Sequence, residues 1–162
     1  PSDQPEWVKE VGFGRQSVAI TLENCYDDWC MSILAKELNK EEDYQYYLKR
    51  ALNYQNVFDT ATGFMRPKTA DGRWIEPFDP IWSGGQGRRE FYTENNGWNY
   101  TWYVPHDVEG LIGLMGGREK FTDKLQTMFE TNVPLYQKYD FLKQYPDMTG
   151  WIGMYSHGNE IT

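Results

Sequence analysis

Apolar side chains recur at helical spacing in two neighbouring stretches near the start of the chain. Ser17 precedes the first stretch and is a possible N-cap, so the pattern predicts a helix from about residue 17 to residue 38. A join of only two residues, "NK", then predicts a second helix from about 40 to 58 that packs antiparallel to the first. The apolar positions are Val18, Leu22, Trp29, Ile33 and Leu34 in the first helix, and Tyr44, Tyr47, Leu48, Ala51, Leu52 and Val57 in the second.

The pattern changes after the second predicted helix, where residues 59–90 are rich in glycine and proline. The sequence "ADGRW" contains Asp71-Gly72, a dipeptide typical of a hairpin turn between short extended runs. These residues therefore predict a long loop with a small β-hairpin. Loops of this length in compact domains are commonly functional or disordered, and the tryptophan and phenylalanine side chains here favour an ordered one.

Helical patterns return after Asn96 in three segments. "WNYTWYV" ends at Pro105, "HDVEGLIGLMGG" stops at Gly116-Gly117, and "REKFTDKLQTMFE" has apolar residues four positions apart. "PLYQKYDFLKQYP" reads as a further short helix or ordered loop, and "GWIGMYSHGNEIT" as a glycine-punctuated turn region. The order of these elements predicts a mainly α fold of helical hairpins, as in a toroid or bundle, with long loops at one end.

Composition narrows the class of protein. The chain has 162 residues, a net charge of −8 and a mean hydropathy of −0.75, values typical of one water-soluble globular domain. No apolar run approaches the ~18 residues of a membrane span. The acidic balance argues against a protein that binds duplex nucleic acid through clustered lysines and arginines. Cys25 and Cys30 fit neither a zinc framework nor a disulfide scaffold, and we expect both to be small buried residues.

Aromatic residues make up 17% of the chain, with seven Trp and twelve Tyr. Flat apolar faces with a polar edge suit the C–H faces of sugars, but they equally suit a tyrosine-rich core or a protein interface. The stretch "FYTENNGWNYTWYVPHD" surrounds the single carboxylate of Glu94 with rings and amides. Desolvation there would raise the pKa of Glu94, as a general acid requires. The alternative is a glutamate in a turn or at a helix start.

Several other carboxylates have two readings each. "HGNE" offers the oxygens of Asn159 and Glu160 to a hard cation such as Ca²⁺, or it is an ordinary polar loop. The adjacent Asp27 and Asp28 point in different directions on a helix, so one can hold a partner inside while the other is solvated. Asp79 in "PFDP" is rigidly presented or simply part of a turn. Asp107 is a helix-start residue rather than half of a catalytic pair with the preceding histidine.

Four motifs in one order carry a resemblance to a known family: "LENCYDDWC", "EPFDP", "YTENNGWNYTWYVPHDVEGLIGLMGG" and "GWIGMYSHGNE". From about Gly12 to Glu160 the chain resembles the calcium-dependent exo-α-mannosidases of glycoside hydrolase family 92. The resemblance implies that residues 1–162 are a fragment of the catalytic domain, a partial (α/α)6 toroid. It also implies a larger enzyme with an N-terminal β-sandwich, which removes terminal α-linked mannose with inversion.

The resemblance assigns roles to five residues. Glu94 corresponds to the general acid, and Asn159 and Glu160 to residues at the Ca²⁺ and the mannose subsite. Trp98, His157 and Glu160 are expected to contact the sugar. The general base of the family lies downstream of "HGNE", so the resemblance implies that this chain lacks the base and is inactive alone.

The sequence departs from the family pattern after "HGNE", where Ile161-Thr162 stand in place of the usual Pro-Ser, and "TNVPLYQKYDFLKQYP" is longer than usual. The expected partners are mannose-containing glycans, the β-sandwich domain and the remainder of the toroid, with no nucleic acid and no membrane span. The expected location is secreted, periplasmic or on a bacterial cell surface. Two alternatives remain: a non-catalytic carbohydrate-binding helical module, and a structural helical domain whose rings pack inward.

Overall fold

The computed structural model describes residues 17–69, 71–81, 91–93, 95–137 and 142–153. The described part is mainly α-helical, as the pattern predicts. No helix in it is both long and apolar enough to cross a bilayer. In chain order the elements are α1 (Ser17–Glu37), α2 (Glu41–Ala51), a 3₁₀ helix (Leu52–Val57), β1 (Phe58–Asp59), β2 (Phe64–Met65), α3 (Gly97–Tyr100), α4 (Val108–Leu114), α5 (Arg118–Glu130), β3 (Asn132–Pro134), a second 3₁₀ helix (Leu135–Gln137) and β4 (Thr149–Trp151).

The first predicted helix is confirmed as α1, and its C-terminus ends in a hydrogen-bonded turn. Asn39 adopts a left-handed φ of 54°, which asparagine tolerates better than most residues. Its N–H donates to the carbonyl of Lys36, and the N–H of Lys40 donates to that of Ala35. This pair of bonds satisfies the last carbonyls of α1 and reverses the chain, so that α2 can return along it.

The second predicted helix is confirmed over its first part only. α2 ends at Ala51, and the chain continues as the tighter 3₁₀ helix instead of the predicted α-helix. α2 and α1 form the predicted antiparallel hairpin, joined by an ion pair of 2.9 Å between Arg50 Nε and Asp28 Oδ2. Asp28 is buried and Asp27 is exposed, so the two adjacent carboxylates divide their roles as expected.

The predicted hairpin region contains two small pairings. β1 and β2 pair antiparallel, with Phe58 opposite Met65. A single bridge then joins Lys68 to Trp74 around the predicted Asp-Gly turn, where Gly72 has a φ of 87°. Glycine is favoured there because a Cβ atom clashes with the backbone at positive φ.

A second two-stranded sheet was not expected from the sequence. β3 and β4 pair antiparallel, with Val133 opposite Gly150. The prediction of a helix or ordered loop followed only by turns was therefore wrong for these strands. The two strands have three residues each and 14 residues lie between them, so neither alternation nor a tight turn marks them.

The core joins the hairpin to the loops that follow it. Helix α4 ends with the N–H of Gly117 donating to the carbonyl of Ile112, as the glycine pair predicts. The prediction that Ile33, Leu34 and Leu52 form apolar contacts in the helical hairpin was wrong for the described part of the chain, since all three are exposed. Cys25 is buried as expected, but Cys30 is exposed. The buried core cluster consists of Val18, Leu22, Cys25, Tyr54, Phe58, Met65, Tyr92, Val104, Leu111 and Met115.

Candidate active site

Of the five residues that the sequence assigns to a site, the structure describes Trp98 alone. Glu94, His157, Asn159 and Glu160 lie outside the described residues. The described residues on both sides of Glu94, and the residues up to Gly153 that precede the "HGNE" segment, belong to one connected hydrogen-bonded region. We use "the motif region" for residues 58–69, 71–81, 91–93, 95–104 and 149–153.

The chain just before Glu94 is held at the start of α1. The carbonyl of Phe91 accepts hydrogen bonds from the N–H groups of Val18 and Ala19, at 3.1 and 3.2 Å. The first N–H groups of a helix have no partner within the helix, so this carbonyl satisfies two of them. The Tyr92 hydroxyl donates to the carbonyl of Met65 at 2.6 Å, and burial raises the pKa of Tyr92 well above its usual range.

The chain just after Glu94 is held by Asn96, which is completely buried. Its side-chain oxygen accepts from the N–H of Asn99 at 3.1 Å, which makes Asn96 the N-cap of α3. Its side-chain nitrogen lies 3.4 Å from the carbonyl oxygen of Ile81 and 3.3 Å from that of Ile152. One amide therefore bonds to three separate parts of the motif region.

Two further bonds strengthen this convergence. The N–H of Gly97 donates to the carbonyl of Pro80 at 3.0 Å, next to the Ile81 contact. The side-chain nitrogen of Asn99 donates to the carbonyl of Gly153 at 2.7 Å, next to the Ile152 contact. The "PFDP" loop and the strand that precedes the "HGNE" segment thus meet at the start of α3.

The outer edge of β2 is closed by side chains instead of a third strand. The N–H of Met65 donates to the hydroxyl oxygen of Thr101 at 3.1 Å, and that hydroxyl donates to the carbonyl of Gly97 at 2.6 Å. Together with the Tyr92 bond, this satisfies both backbone groups of Met65 on that edge. Thr101 and Met65 are fully buried, so the polar groups would be costly to leave unpaired.

Trp98 packs against Phe64, and the amine of Lys124 lies close to both rings. Its ring meets Phe64 edge to face, with centroids 4.9 Å apart. Lys124 Nζ lies 3.3 Å from the Phe64 centroid and 4.7 Å from the Trp98 ring. Burial lowers the pKa of Lys124 to about 8, while the two ring faces favour its charged form. The indole N–H of Trp98 is buried and has no partner within the described part of the chain.

Arg66 holds the glycine- and proline-rich loop in place. Its guanidinium pairs with Asp59 at 2.9 Å and also with Glu76, and it donates to the carbonyl of Ile75 at 3.0 Å. The ring of Phe78 lies 4.9 Å from the guanidinium carbon. Burial opposes ionisation of Asp59, but the bonds from Arg66 and neighbouring groups hold its pKa below the usual range. Asp79, in contrast, is exposed and accepts from the N–H of Ile81, as the turn reading predicts.

Asp107 confirms the helix-start reading. One carboxylate oxygen caps α4 by accepting from the N–H of Gly110 at 3.0 Å, and the other accepts from the Tyr54 hydroxyl at 2.7 Å. Burial and this bond raise the pKa of Tyr54 to about 12. The neighbouring His106 bonds to the carbonyl of Ala51 through Nε2 at 2.9 Å. Both residues therefore join α4 to the end of the hairpin.

The comparisons with known proteins decide the family. The model of the glycosyl hydrolase family 92 catalytic domain matches residues 2–162. The chain belongs to that family. It is 42% identical to the α-mannosidase BT3965 of Bacteroides thetaiotaomicron, with a TM-score of 0.67 over 74% of this chain and 15% of that one. The inverting mannosidase BT2199 of the same organism is 36% identical, with a TM-score of 0.64 over 83% of this chain and 18% of that one.

A fungal relative adds a third comparison. An uncharacterized secreted glycosidase of Arthroderma benhamiae is 33% identical over 76% of this chain and 18% of its own length. The chain therefore spans less than a fifth of the length of each of these relatives. The likeness to family 92 structures confirms the predicted fold class, a mainly α chain that forms part of an α/α toroid.

Sequence reasoning missed three residues that organise the motif region: Arg66, Asn96 and Lys124. Asn96 had a local signal, since an asparagine directly before "GWNY" has the character of an N-cap. Arg66 and Lys124 had none, because their partners lie up to 60 positions away and their side chains are usually exposed.

Proposed function

We propose that this chain is the acid-bearing part of an exo-acting α-mannosidase, in a longer enzyme that removes terminal α-linked mannose from glycans such as N-glycans. The observation that carries the proposal is the family match over residues 2–162, together with 42% and 36% identity to two mannosidases. BT3965 has also been solved in complex with mannoimidazole, and this chain is 41% identical to it in that structure.

Glu94 is the proposed general acid, which donates its proton to the oxygen of the departing group. The support is that the chain on both sides of it is fixed, through Phe91 and Tyr92 before it and Asn96 after it. A general acid must be positioned within hydrogen-bond reach of the proton acceptor. In an inverting reaction a second carboxylate, about 6.5–9.5 Å from the acid, activates water. We assign that base to a part of the enzyme outside this chain.

Trp98, His157 and Glu160 are the proposed contacts to the sugar. The Trp98 ring is only partly buried, so its exposed part remains for a ligand. Edge-to-face packing on Phe64 fixes the orientation of the ring. A fixed aromatic face is what stacking on a sugar requires.

Asn159 and Glu160 are the proposed ligands of Ca²⁺, and an amide oxygen beside a carboxylate is the donor chemistry that this cation prefers. When bound, Ca²⁺ would supply charge that holds sugar hydroxyls and helps distort the ring. Within the described residues no group of three or more His, Cys, Asp or Glu side chains could hold a metal.

We also propose that the enzyme is secreted, following the description of its fungal relative as a secreted glycosidase. A periplasmic or cell-surface location in a bacterium would serve the same extracellular glycans. The expected partners of this chain within the enzyme are the remaining toroid and a β-sandwich domain.

The proposal is tested with the longer enzyme and with residues 1–162 alone. We expect the longer enzyme to hydrolyse aryl α-mannosides with Ca²⁺, to lose activity in chelator, and to release β-mannose first, which NMR can detect. The 162-residue chain alone should be inactive. Turnover by that chain at a comparable rate would show that the base lies within it, and sugar binding by the longer enzyme without turnover would favour a carbohydrate-binding module.

A further inference from the structure

Both N–H groups and the oxygen of the Asn96 side-chain amide form hydrogen bonds, and each bond goes to a different segment. It accepts one bond from the N–H of Asn99 and donates one each to the carbonyls of Ile81 and Ile152. The partners lie 3, 15 and 56 positions away in the sequence. The residue is 0% exposed, so water cannot replace any of these bonds.

This combination of bonds selects for asparagine. Serine and aspartate can cap a helix by accepting a hydrogen bond, as Asn96 does for α3. Neither can donate the two N–H bonds of an amide. A cap alone therefore does not account for Asn96, and its two donated bonds serve to hold Ile81 and Ile152 against α3.

The place of Asn96 in the chain links this geometry to the proposed reaction. Asn96 is two residues after Glu94, and Ile152 is five residues before His157. Phe91 and Tyr92 fix the chain on the other side of Glu94. Chemistry at a catalytic group is sensitive to position, and a misplacement of about 1 Å can cost about 100-fold in rate.

We infer that Asn96 is a positioning residue, which holds the chain next to Glu94 against Ile81 and Ile152. This inference rests on the proposed function, in which Glu94 is the general acid. Asn96 itself is too deeply buried to contact the substrate, so it acts through the backbone of its neighbours.

The test uses Asn96→Ser in the longer enzyme, because serine keeps the cap of α3 and removes the two donated bonds without adding charge. Asn96→Asp is the second variant, in which a carboxylate oxygen faces the two carbonyl oxygens. Asn56→Asp is the control, because the Asn56 side chain is exposed and its hydrogen bond in the described structure goes to the neighbouring Asn53. Folding is measured by circular dichroism and thermal unfolding, and all kinetics are taken well below the melting temperature.

The expected result is a fall of about 100-fold in kcat for Asn96→Ser on an unactivated mannoside, with a change of less than about threefold in KM. On a dinitrophenyl mannoside, whose leaving group needs no proton, the fall should be less than tenfold. The alkaline limb of the pH profile of kcat, where a general acid loses its proton, should also shift, since Glu94 would have new surroundings. Asn56→Asp should match the wild type on both substrates.

Three outcomes would overturn the inference. Folded Asn96→Ser with wild-type kcat shows that the two donated bonds do not serve catalysis. An equal loss on both substrates shows a general disturbance without a specific effect on the acid. Failure of both Asn96 variants to fold shows a role in stability alone. If instead the wild-type enzyme turns over no mannoside, the proposed function itself is wrong, which the wild-type arm reveals before any variant is compared.

Discussion

The helical hairpin of α1 and α2 and the motif region are built on different principles. Within each hairpin helix the backbone hydrogen bonds join near neighbours in sequence, and among the described residues an ion pair between Asp28 and the half-exposed Arg50 joins the two helices. The motif region has little regular structure, and buried polar side chains such as Asn96 and Arg66 connect parts that are 7 to 56 positions apart. The proposed catalytic acid belongs to the second kind of region.

This difference shows how the backbone is held in position in each region. A helix fixes its own backbone, but a loop has to be fixed by partners, since its backbone polar groups do not satisfy each other. In the motif region those partners are fully or nearly buried side chains, so each bond is made in surroundings where its loss is expensive. We expect substitutions of these polar residues to cost more than matching substitutions in the hairpin.

The largest expected effect comes from removing the buried guanidinium. Arg66→Met leaves the buried Asp59 carboxylate without its ion-pair partner and should lower the free energy of unfolding by about 3–5 kcal/mol. Arg50→Met is the matched change in the hairpin, where the arginine is 44% exposed, and it should cost about 1 kcal/mol. Urea unfolding of both variants measures the difference. Equal costs would contradict the distinction between the two regions.

The same contrast determines what the sequence could reveal. The hairpin is visible in the sequence because apolar spacing and the short join are local properties, and only its last turns deviate, where α2 gives way to a 3₁₀ helix. The Asp71-Gly72 turn and the caps at Asp107 and Gly116 are visible for the same reason.

The rest was not visible because its determinants are distant in sequence. The pairing of β3 with β4 depends on contacts across an intervening segment, and the roles of Arg66 and Lys124 depend on side chains from other elements. The periodicity predicted that Ile33 and Leu34 face the core, but both are exposed in the described structure. Apolar spacing alone does not distinguish a residue that packs in this core from one that packs against another part of a longer protein. Residue types and local surroundings raised Glu94, Asn159 and Glu160 as candidates with an alternative for each, and the family resemblance chose between the alternatives.

Helix α4 contacts the end of the hairpin through the bond between Asp107 and Tyr54. Substitutions of its two glycines should change the stability by smaller amounts and with opposite signs. A Cβ atom at Gly110 would overlap Asp107 Oδ2 and the Tyr54 hydroxyl, so Gly110→Ala should cost about 1–3 kcal/mol. A Cβ atom at Gly113 meets nothing within 4 Å, so Gly113→Ala should stabilise by about 0.4–1 kcal/mol through helix propensity. Thermal unfolding distinguishes the two. Stabilisation by both would show that the Asp107–Tyr54 bond does not constrain this helix.

The smallest expected effect depends on pH and concerns Lys124. Its pKa is about 8 in the folded protein and ordinarily about 10.4 in an unfolded chain, so between these values the unfolded state binds more protons. Lys124 therefore destabilises the folded state fully below about pH 8, and this destabilisation disappears as the pH rises from about 8 to 10.4. Lys124→Met should relieve that cost, so we expect the variant to gain about 1 kcal/mol over the wild type at pH 7, less the cation–π contribution of the two rings.

Unfolding measured at pH 7 and pH 10 checks this sign. The advantage of Lys124→Met should shrink at the higher pH. The hairpin variant Lys49→Met, at an exposed position, is the control for loss of one positive charge. A Lys124→Met variant that loses stability at both pH values would show that contact with Phe64 and Trp98 outweighs desolvation.

The most direct test of the central claim is the dependence of Glu94→Gln on the leaving group, measured in the longer enzyme. If the motif region presents a general acid, this variant should lose about 100- to 10,000-fold in kcat/KM on a mannose disaccharide. It should lose far less on a dinitrophenyl mannoside, whose leaving group departs without a proton. Unchanged hydrolysis of the disaccharide, or equal losses on both substrates, would contradict the assignment of Glu94 as the proton donor.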